Sequence, residues 1–413
     1  MEKQGVYTNL SKRLKWLEEL FESLNRDLRL IFVSNLVGSF GDGLYAYLLP
    51  VYIQTVLHAN PVDVGFLYTI LTLSAALTPI PGGLLAERYD RKKIMIFAWA
   101  LWFPVPLLLS VVTHWTMLFP AMLLYGCSIS GPSTTAYIAR AARKDRINLT
   151  FTLISSAWWM GYIFSPSIGG YLATKMGMKV VFYTAFAFYI LAAFVLFFIR
   201  SQREVGKGQL SKGNPSASFN IKTIVGWAIF FASIMFLNVL MRPFVPTFLK
   251  DVYKFDEFLI GVLGSFTFAG SAFLGILIGR LGDKFGNEVA VAVCLASTAF
   301  SLTAFQFTSN FLLLAPVFFL MGATYTPWAL MNATISSLSP ESLRGRWVAI
   351  SQTASMFAAF FAPYIGGNLY DISPNYPFMV TVIGILILLV MFIAFSFLST
   401  RGKNIPLNRE SEE

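Results

Sequence analysis

Residues 40–90 read FGDGLYAYLLPVYIQTVLHANPVDVGFLYTILTLSAALTPIPGGLLAERYD, and residues 236–286 read FLNVLMRPFVPTFLKDVYKFDEFLIGVLGSFTFAGSAFLGILIGRLGDKFG. Displaced by 196 positions, the two stretches align without a gap. Ten positions are identical: Phe40/Phe236, Leu44/Leu240, Pro50/Pro246, Val56/Val252, Gly65/Gly261, Leu67/Leu263, Ala76/Ala272, Ile80/Ile276, Gly83/Gly279 and Leu85/Leu281. A second block repeats at an offset of 197, where Ser165-Pro166-Ser167-Ile168-Gly169-Gly170 mirrors Ala362-Pro363-Tyr364-Ile365-Gly366-Gly367. The chain is two copies of one unit.

Composition gives the setting. Of 413 residues, 56% are hydrophobic and only 13% charged, too few charges to cover a soluble fold of this size. Apolar stretches of roughly 20 residues, the length that spans a bilayer, fall near 30–52, 62–85, 94–113, 117–139, 150–172, 178–199, 223–249, 258–279, 289–307, 311–335, 346–369 and 376–398. The pattern predicts an all-α integral membrane protein with twelve transmembrane helices in two six-helix pseudo-repeats. The expected divisions are an N-terminal half over 26–200, a linker over 201–222 rich in Gly, Ser and Lys, a C-terminal half over 223–400 and a tail over 401–413. Within 1–25, Leu10, Leu14, Leu17, Phe21 and Leu24 recur at helical spacing opposite charged residues, which predicts an amphipathic helix on the membrane surface. Hydrophobic repeats of this kind build many secondary transporters, with the site where the copies meet.

The net charge of +10 is distributed rather than clustered. With the termini and the even-to-odd loops assigned to the cytoplasm, 26 of the 31 Lys and Arg residues lie on that side. Lys175, Lys179, Lys250 and Lys254 lie on the other, and Arg242 lies within a span. This is the positive-inside pattern. It predicts a multi-pass protein of the cell membrane with both termini cytoplasmic, and it argues against nucleic-acid binding. Cys127 and Cys294 both sit in spans and imply neither a disulfide framework nor a metal site.

The loop between the second and third spans carries Gly83-Leu84-Leu85-Ala86-Glu87-Arg88-Tyr89-Asp90-Arg91-Lys92-Lys93. Gly83 is expected where two helices approach closely, and Glu87 can pair with Arg91 four residues on. The segment resembles the signature of the major facilitator superfamily: a glycine, three residues, an acid, an arginine, any residue, a glycine and two basics. A second copy, Gly279 to Asn287 with Asp283 as its acid, stands at the repeat period. The resemblance covers span count, linker position and both motifs. It implies the major facilitator fold and a gating role in which Gly83, Glu87, Arg88 and Arg91 latch the cytoplasmic side when the transporter opens outward. A solvated basic loop is the alternative. Asp90 departs from the pattern by replacing its second glycine, although Asp tolerates left-handed backbone. Asn287 replaces a closing basic residue, which weakens the latch expected at Gly279 and Asp283.

In the fifth span, Pro166, Gly169 and Gly170 resemble the motif of the superfamily's efflux antiporters, with Ser165 where the fuller motif has glycine. Ordinary small-residue packing explains the same residues, as it does Pro363, Gly366 and Gly367 in the eleventh. The fourth span lacks the arginine that many such exporters carry.

An ionisable group at membrane depth is a functional candidate. Asp42 lies 13 residues past Arg29, about 20 Å along a helix, and shares a face with Asn35 and Tyr45. The repeat places Asn238 at the equivalent of Asp42, and Arg242 one turn beyond. These three are the expected proton-coupling and substrate residues; a structural Asp42–Arg242 pair is the alternative, and Arg242 can also snorkel outward. Trp158 and Tyr162 on the fifth span, Tyr325, Trp328 and Asn332 on the tenth, and Gln352 on the eleventh are expected to line a cavity.

No phosphate-binding loop suggests an ATP-driven pump, no nucleophile–base pair suggests an enzyme, and no filter suggests a channel. Neither cofactor nor metal is expected. The expected function is secondary active transport of a small solute by alternating access, as a monomeric, proton-coupled exporter of hydrophobic or amphipathic compounds. The alternative is uptake of a small anionic metabolite bound by Arg242.

Overall fold

The computed structural model describes residues 24–143, 146–202, 221–340 and 343–403, and these form helices joined by turns. The amphipathic helix expected over 1–25 (save Leu24 and Asn25), most of the linker, and the tail beyond Lys403 lie outside the described residues.

Twelve helical passages follow one another among the described residues, numbered here as spans 1 to 12. Spans 1 to 3 are Arg26–Thr55, Pro61–Arg88 and Arg91–Val111. Span 4 runs from a 3-10 turn at Trp115–Leu118 through Phe119–Tyr125 and Ser130–Ala141. Spans 5 and 6 are Ile147–Met176 and Met178–Leu196. Spans 7 to 12 are Ile221–Asp251, Glu257–Phe285, Asn287–Phe307, Phe311–Leu338, Arg344–Ile372 and Tyr376–Lys403. Ten of these are long and apolar enough to cross a membrane on length and composition, spans 4 and 5 being the exceptions. Those two are rich in hydroxyl residues, and in span 5 Thr150 Oγ1 donates to the Arg146 carbonyl and Ser156 Oγ to that of Leu153. A helix satisfies its own backbone, which is what hydrocarbon demands.

Proline sets the interruptions. Span 1 breaks at Tyr47–Leu48 just ahead of Pro50, span 2 at Thr78 ahead of Pro79, span 3 at Phe103 ahead of Pro104, and span 11 at Phe360–Phe361 ahead of Pro363. Each proline lacks an N–H donor and its ring crowds the carbonyl four residues back, which interrupts the hydrogen-bond ladder even where the preceding residue, as at Thr78 and Phe103, keeps helical angles. Span 7 breaks at Arg242–Pro243, within one position of the span 1 break displaced by the repeat. Span 5, by contrast, stays helical through Pro166.

The chain divides into two compact units. The first comprises 1–59, 70–210 and 249–265; the second comprises 60–69, 211–248 and 266–413. Without a hydrophobic drive between helices in lipid, close approach of small residues does the packing. In the first unit, a Cβ on Gly169 would overlap the Leu44 carbonyl, and one on Gly170 would overlap that of Glu257. In the second, Gly366 stands in the same way against the Leu240 carbonyl and Gly367 against that of Pro61. Gly261 meets the Pro166 carbonyl and Gly65 that of Pro363. Every partner is the repeat mate of the other. The repeat therefore extends beyond sequence to individual backbone contacts.

Candidate functional site

Span 1 is pinned at its start by Asn25, whose side chain caps Leu28 N–H at 2.9 Å and donates to the Ala141 carbonyl at 2.8 Å. Farther along, the helix is thin. Gly41 lies against Ala185 and Phe188 of span 6, and Gly43 against Ser165 and Tyr162 of span 5. These glycines bring spans 5 and 6 close to the backbone on either side of Asp42.

The carboxylate of Asp42 is 3% exposed and held by tyrosines from three other spans. Tyr125 and Tyr189 each donate a hydroxyl to Oδ1 at 2.8 Å, and Tyr162 donates to Oδ2. The hydroxyl of Tyr45, fully buried, bonds that of Tyr189 at 2.8 Å. Spans 1, 4, 5 and 6 thus meet at one carboxylate. Indoles enclose the cluster: Trp102 packs edge-on against Tyr125 and Trp158, and Trp99 lies 5.4 Å from Tyr189 between ring centres. The Trp102 indole N–H is itself satisfied by the Cys127 carbonyl at 2.9 Å. Beside them is a small cavity of about 70 Å³ whose lining includes Asn35, Trp99, Trp102, Thr134 and Trp158.

Of the residues expected from sequence, Asp42, Tyr45, Tyr162, Trp158 and Asn35 gather in this region of the first unit. Tyr45 is enclosed rather than lining open space. Tyr125 and Tyr189 were not anticipated. They come from spans 4 and 6, and no spacing within one helix relates them to Asp42.

Asn238 and Arg242 lie in the second unit. Asn238 is fully buried and donates to the Thr324 carbonyl at 3.1 Å. The Arg242 guanidinium lies over the Tyr325 ring, 4.3 Å from its centre, in cation–π contact. Arg242 Nε is buried with no hydrogen-bond partner. Gln352 donates to the side-chain oxygen of Asn332 at 3.0 Å, joining spans 10 and 11. Trp328 packs instead against the apolar core of its unit.

Three expectations for the loop between spans 2 and 3 need correction. Glu87 and Arg91 do not share a helix, because one ends at Arg88 and the next begins at Arg91, with extended backbone at Tyr89 and Asp90 between them. Glu87 is exposed, whereas Arg91 is 6% exposed and donates to the Ala136 carbonyl at 3.3 Å and to Gln202 at 2.9 Å. Asp90 is not left-handed: at φ −61° it caps the third span, accepting from Lys92 N–H, and it also accepts from the Ser201 hydroxyl. Its repeat mate Gly286 keeps the positive φ, +95°, that glycine permits. The close-approach glycine is Gly82, whose Cβ would strike Ile129, while nothing lies within 4 Å of a Cβ on Gly83 or Gly279. Arg88 and Asp283 are exposed.

The sequence profile of the Major Facilitator Superfamily matches residues 31–258 and again 226–413. Among curated proteins, the chain is 24% identical to Multidrug resistance protein 2 of Bacillus subtilis (strain 168), over 85% of this chain and 90% of that one. It is 25% identical to the multi-drug resistance efflux pump PmrA homolog of Lactococcus lactis subsp. lactis (strain IL1403), over 95% and 97%. Among solved structures, its fold is similar to a mutant of the nucleoside transporter NupG, with a TM-score of 0.75 at 14% identity over 90% of this chain and 99% of that one. A bacterial homologue of the iron transporter ferroportin, in its inward-facing state, gives a TM-score of 0.70 at 16% identity over 91% and 99%.

Proposed function

Because this chain belongs to the major facilitator superfamily, and so is a multi-pass membrane transporter of small molecules rather than an enzyme, we propose that it is a proton-coupled exporter of hydrophobic or amphipathic compounds, working by alternating access in the cell membrane. The observation that carries this reading is the carboxylate of Asp42 held by three hydroxyl donors. An anionic carboxylate accepts all three. A neutral carboxyl has a proton to place, so one partner must turn from donor to acceptor. Gaining or losing a proton therefore reorders contacts among four spans, which is the coupling that exchange of a proton for a substrate requires. The aromatic surround of Trp99, Trp102 and Trp158 suits an apolar solute. The names of the curated relatives, multidrug resistance and multi-drug efflux proteins, support export.

The gate proposed for this cycle is the segment around Gly83, Glu87, Arg88 and Arg91, with Gly279 and Asp283 as its weaker copy. The open space at Gly83 and Gly279 supports it, since it leaves room for another helix to close upon either glycine.

The test is flux in proteoliposomes with and without an imposed pH gradient, using a lipophilic dye as the transported probe. Asp42→Asn should abolish uphill, pH-driven movement and leave downhill exchange. If the variant still accumulates the dye against its gradient, Asp42 is structural. A second reading, uptake of a small anionic metabolite, is favoured by the unpartnered Nε of Arg242. It predicts that Arg242→Ala weakens transport of anions and leaves neutral and cationic solutes unaffected.

A further inference from the structure

A cavity larger than the one beside Asp42 lies elsewhere. In the second unit, spans 7, 11 and 12 enclose an open groove of about 770 Å³. Small residues, Ala228, Ala232, Ala354, Ala358 and Gly384, line it, and its polar side chains are Ser233, Ser351 and the indole of Trp347. Val225, Ile229, Ile350 and Ile387 stand on its walls with their side chains exposed. Along span 7 it runs from Ile224 to Leu237, about 20 Å at the helical rise, enough to take an acyl chain through one leaflet, about 15 Å, of a core roughly 30 Å thick. The first unit is closed at the matching place. There Gly161 presses on Ser39 and Phe40, whereas its repeat mate, Ala358, lines the groove.

One end of the groove is positively charged. Lys222 falls on the helical face of Val225 and Ile229, and Arg346 on that of Ile350 and Ala354, by the three- and four-residue spacing that aligns side chains. Both basic residues are exposed and stand in the first turn of their helices, Ile221–Met241 and Arg344–Ala359. The positive ends of two helix dipoles therefore join two side-chain cations where the apolar groove ends. A wholly apolar solute would leave the cations at the end of the groove unused. A second copy docked symmetrically would bring its own cations to the same end. An amphiphile with a long apolar tail and a negative head meets both halves of the surface.

We propose that this groove is a binding site for an anionic phospholipid, with acyl chain along spans 7, 11 and 12 and the phosphate held by Lys222 and Arg346. The test uses the purified full-length chain, stripped of lipid in mild detergent and titrated by native mass spectrometry with dioleoyl phosphatidylglycerol and, separately, dioleoyl phosphatidylcholine. The wild type should retain phosphatidylglycerol at concentrations where phosphatidylcholine is lost. The double variant Lys222→Gln/Arg346→Gln should weaken phosphatidylglycerol retention about twenty-five-fold, at roughly fivefold per basic residue. The control Lys175→Gln/Lys179→Gln, which removes two exposed cations remote in sequence from the groove, should leave retention unchanged. Ala354→Trp, which fills the groove, should weaken binding of both lipids. The charge variant alters only exposed helix ends, so it decides the matter even where the tryptophan variant does not fold. Equal retention of the two lipids by the wild type would overturn the proposal, as would undiminished phosphatidylglycerol binding by the double charge variant. A dimer that Ala354→Trp abolishes, with lipid binding intact, would reassign the groove as an interface between copies.

Discussion

At the scale of single residues, the chemistry concentrates on Asp42 and its hydroxyl partners. A hydrogen bond to a charged group contributes about 1.5–3 kcal/mol to stability, and a neutral one about 0.5–1.5 kcal/mol. Tyr125→Phe or Tyr189→Phe removes a donor to the Asp42 carboxyl, while Tyr52→Phe removes a donor to the Leu109 carbonyl at 2.7 Å. The first two variants should therefore lower the thermal unfolding temperature in detergent more than the third. Equal losses would mean that the site does not hold a charge in the folded protein, and the coupling role of Asp42 would lose its basis. Asp42 was legible as a candidate because an acid in an apolar span is conspicuous. Tyr162 was expected near it, but Tyr125 and Tyr189 were not, because a tyrosine in such a span is as well suited to packing as to donating a hydrogen bond.

At the scale of helices, glycine separates into two kinds. Gly169 and Gly366 face the backbone of span 1 and span 7, so a methyl group there has nowhere to go. Gly169→Ala and Gly366→Ala should each destabilise the fold by about 1–3 kcal/mol, the usual cost of overpacking. Gly83 and Gly279 sit inside helices with open space around them. Alanine there should be neutral or stabilise by up to about 1 kcal/mol, because glycine is the poorer helix former. Thermal unfolding of the four variants checks the contrast. Transport by Gly83→Leu, at matched expression, then tests the gate: normal flux would remove Gly83 from the latch. The sequence singled out Gly83 because its neighbours form a motif, yet the contact in this conformation belongs to Gly82. One residue along a helix is a rotation of about 100°, and a linear pattern does not say which of two adjacent glycines faces the neighbour.

At the scale of the whole molecule, the proposed orientation rests on the distribution of Lys and Arg. Both native cysteines are buried, so introduced ones report with little background. A cysteine at Ser211 should react with an impermeant thiol reagent only from the cytoplasmic side, and one at His58 only from outside. Labelling of both from the same face would refute the topology with both termini cytoplasmic. The same reagent applied to intact cells distinguishes the cell membrane from internal compartments.

The all-helical architecture and the twofold internal repeat followed from the sequence. Length and hydropathy act locally, and in lipid each helix must satisfy its own backbone whatever its neighbours do. The tertiary structure decided what lies between helices. It gathered tyrosines of spans 4, 5 and 6 on one carboxylate of span 1, turned Arg91 inward toward Gln202 and away from Glu87, and left a groove in one unit where the other is packed shut. Those outcomes depend on the rotation and approach of helices far apart in the chain. Small differences, such as Gly161 against Ala358, settle them through contacts that no periodicity encodes.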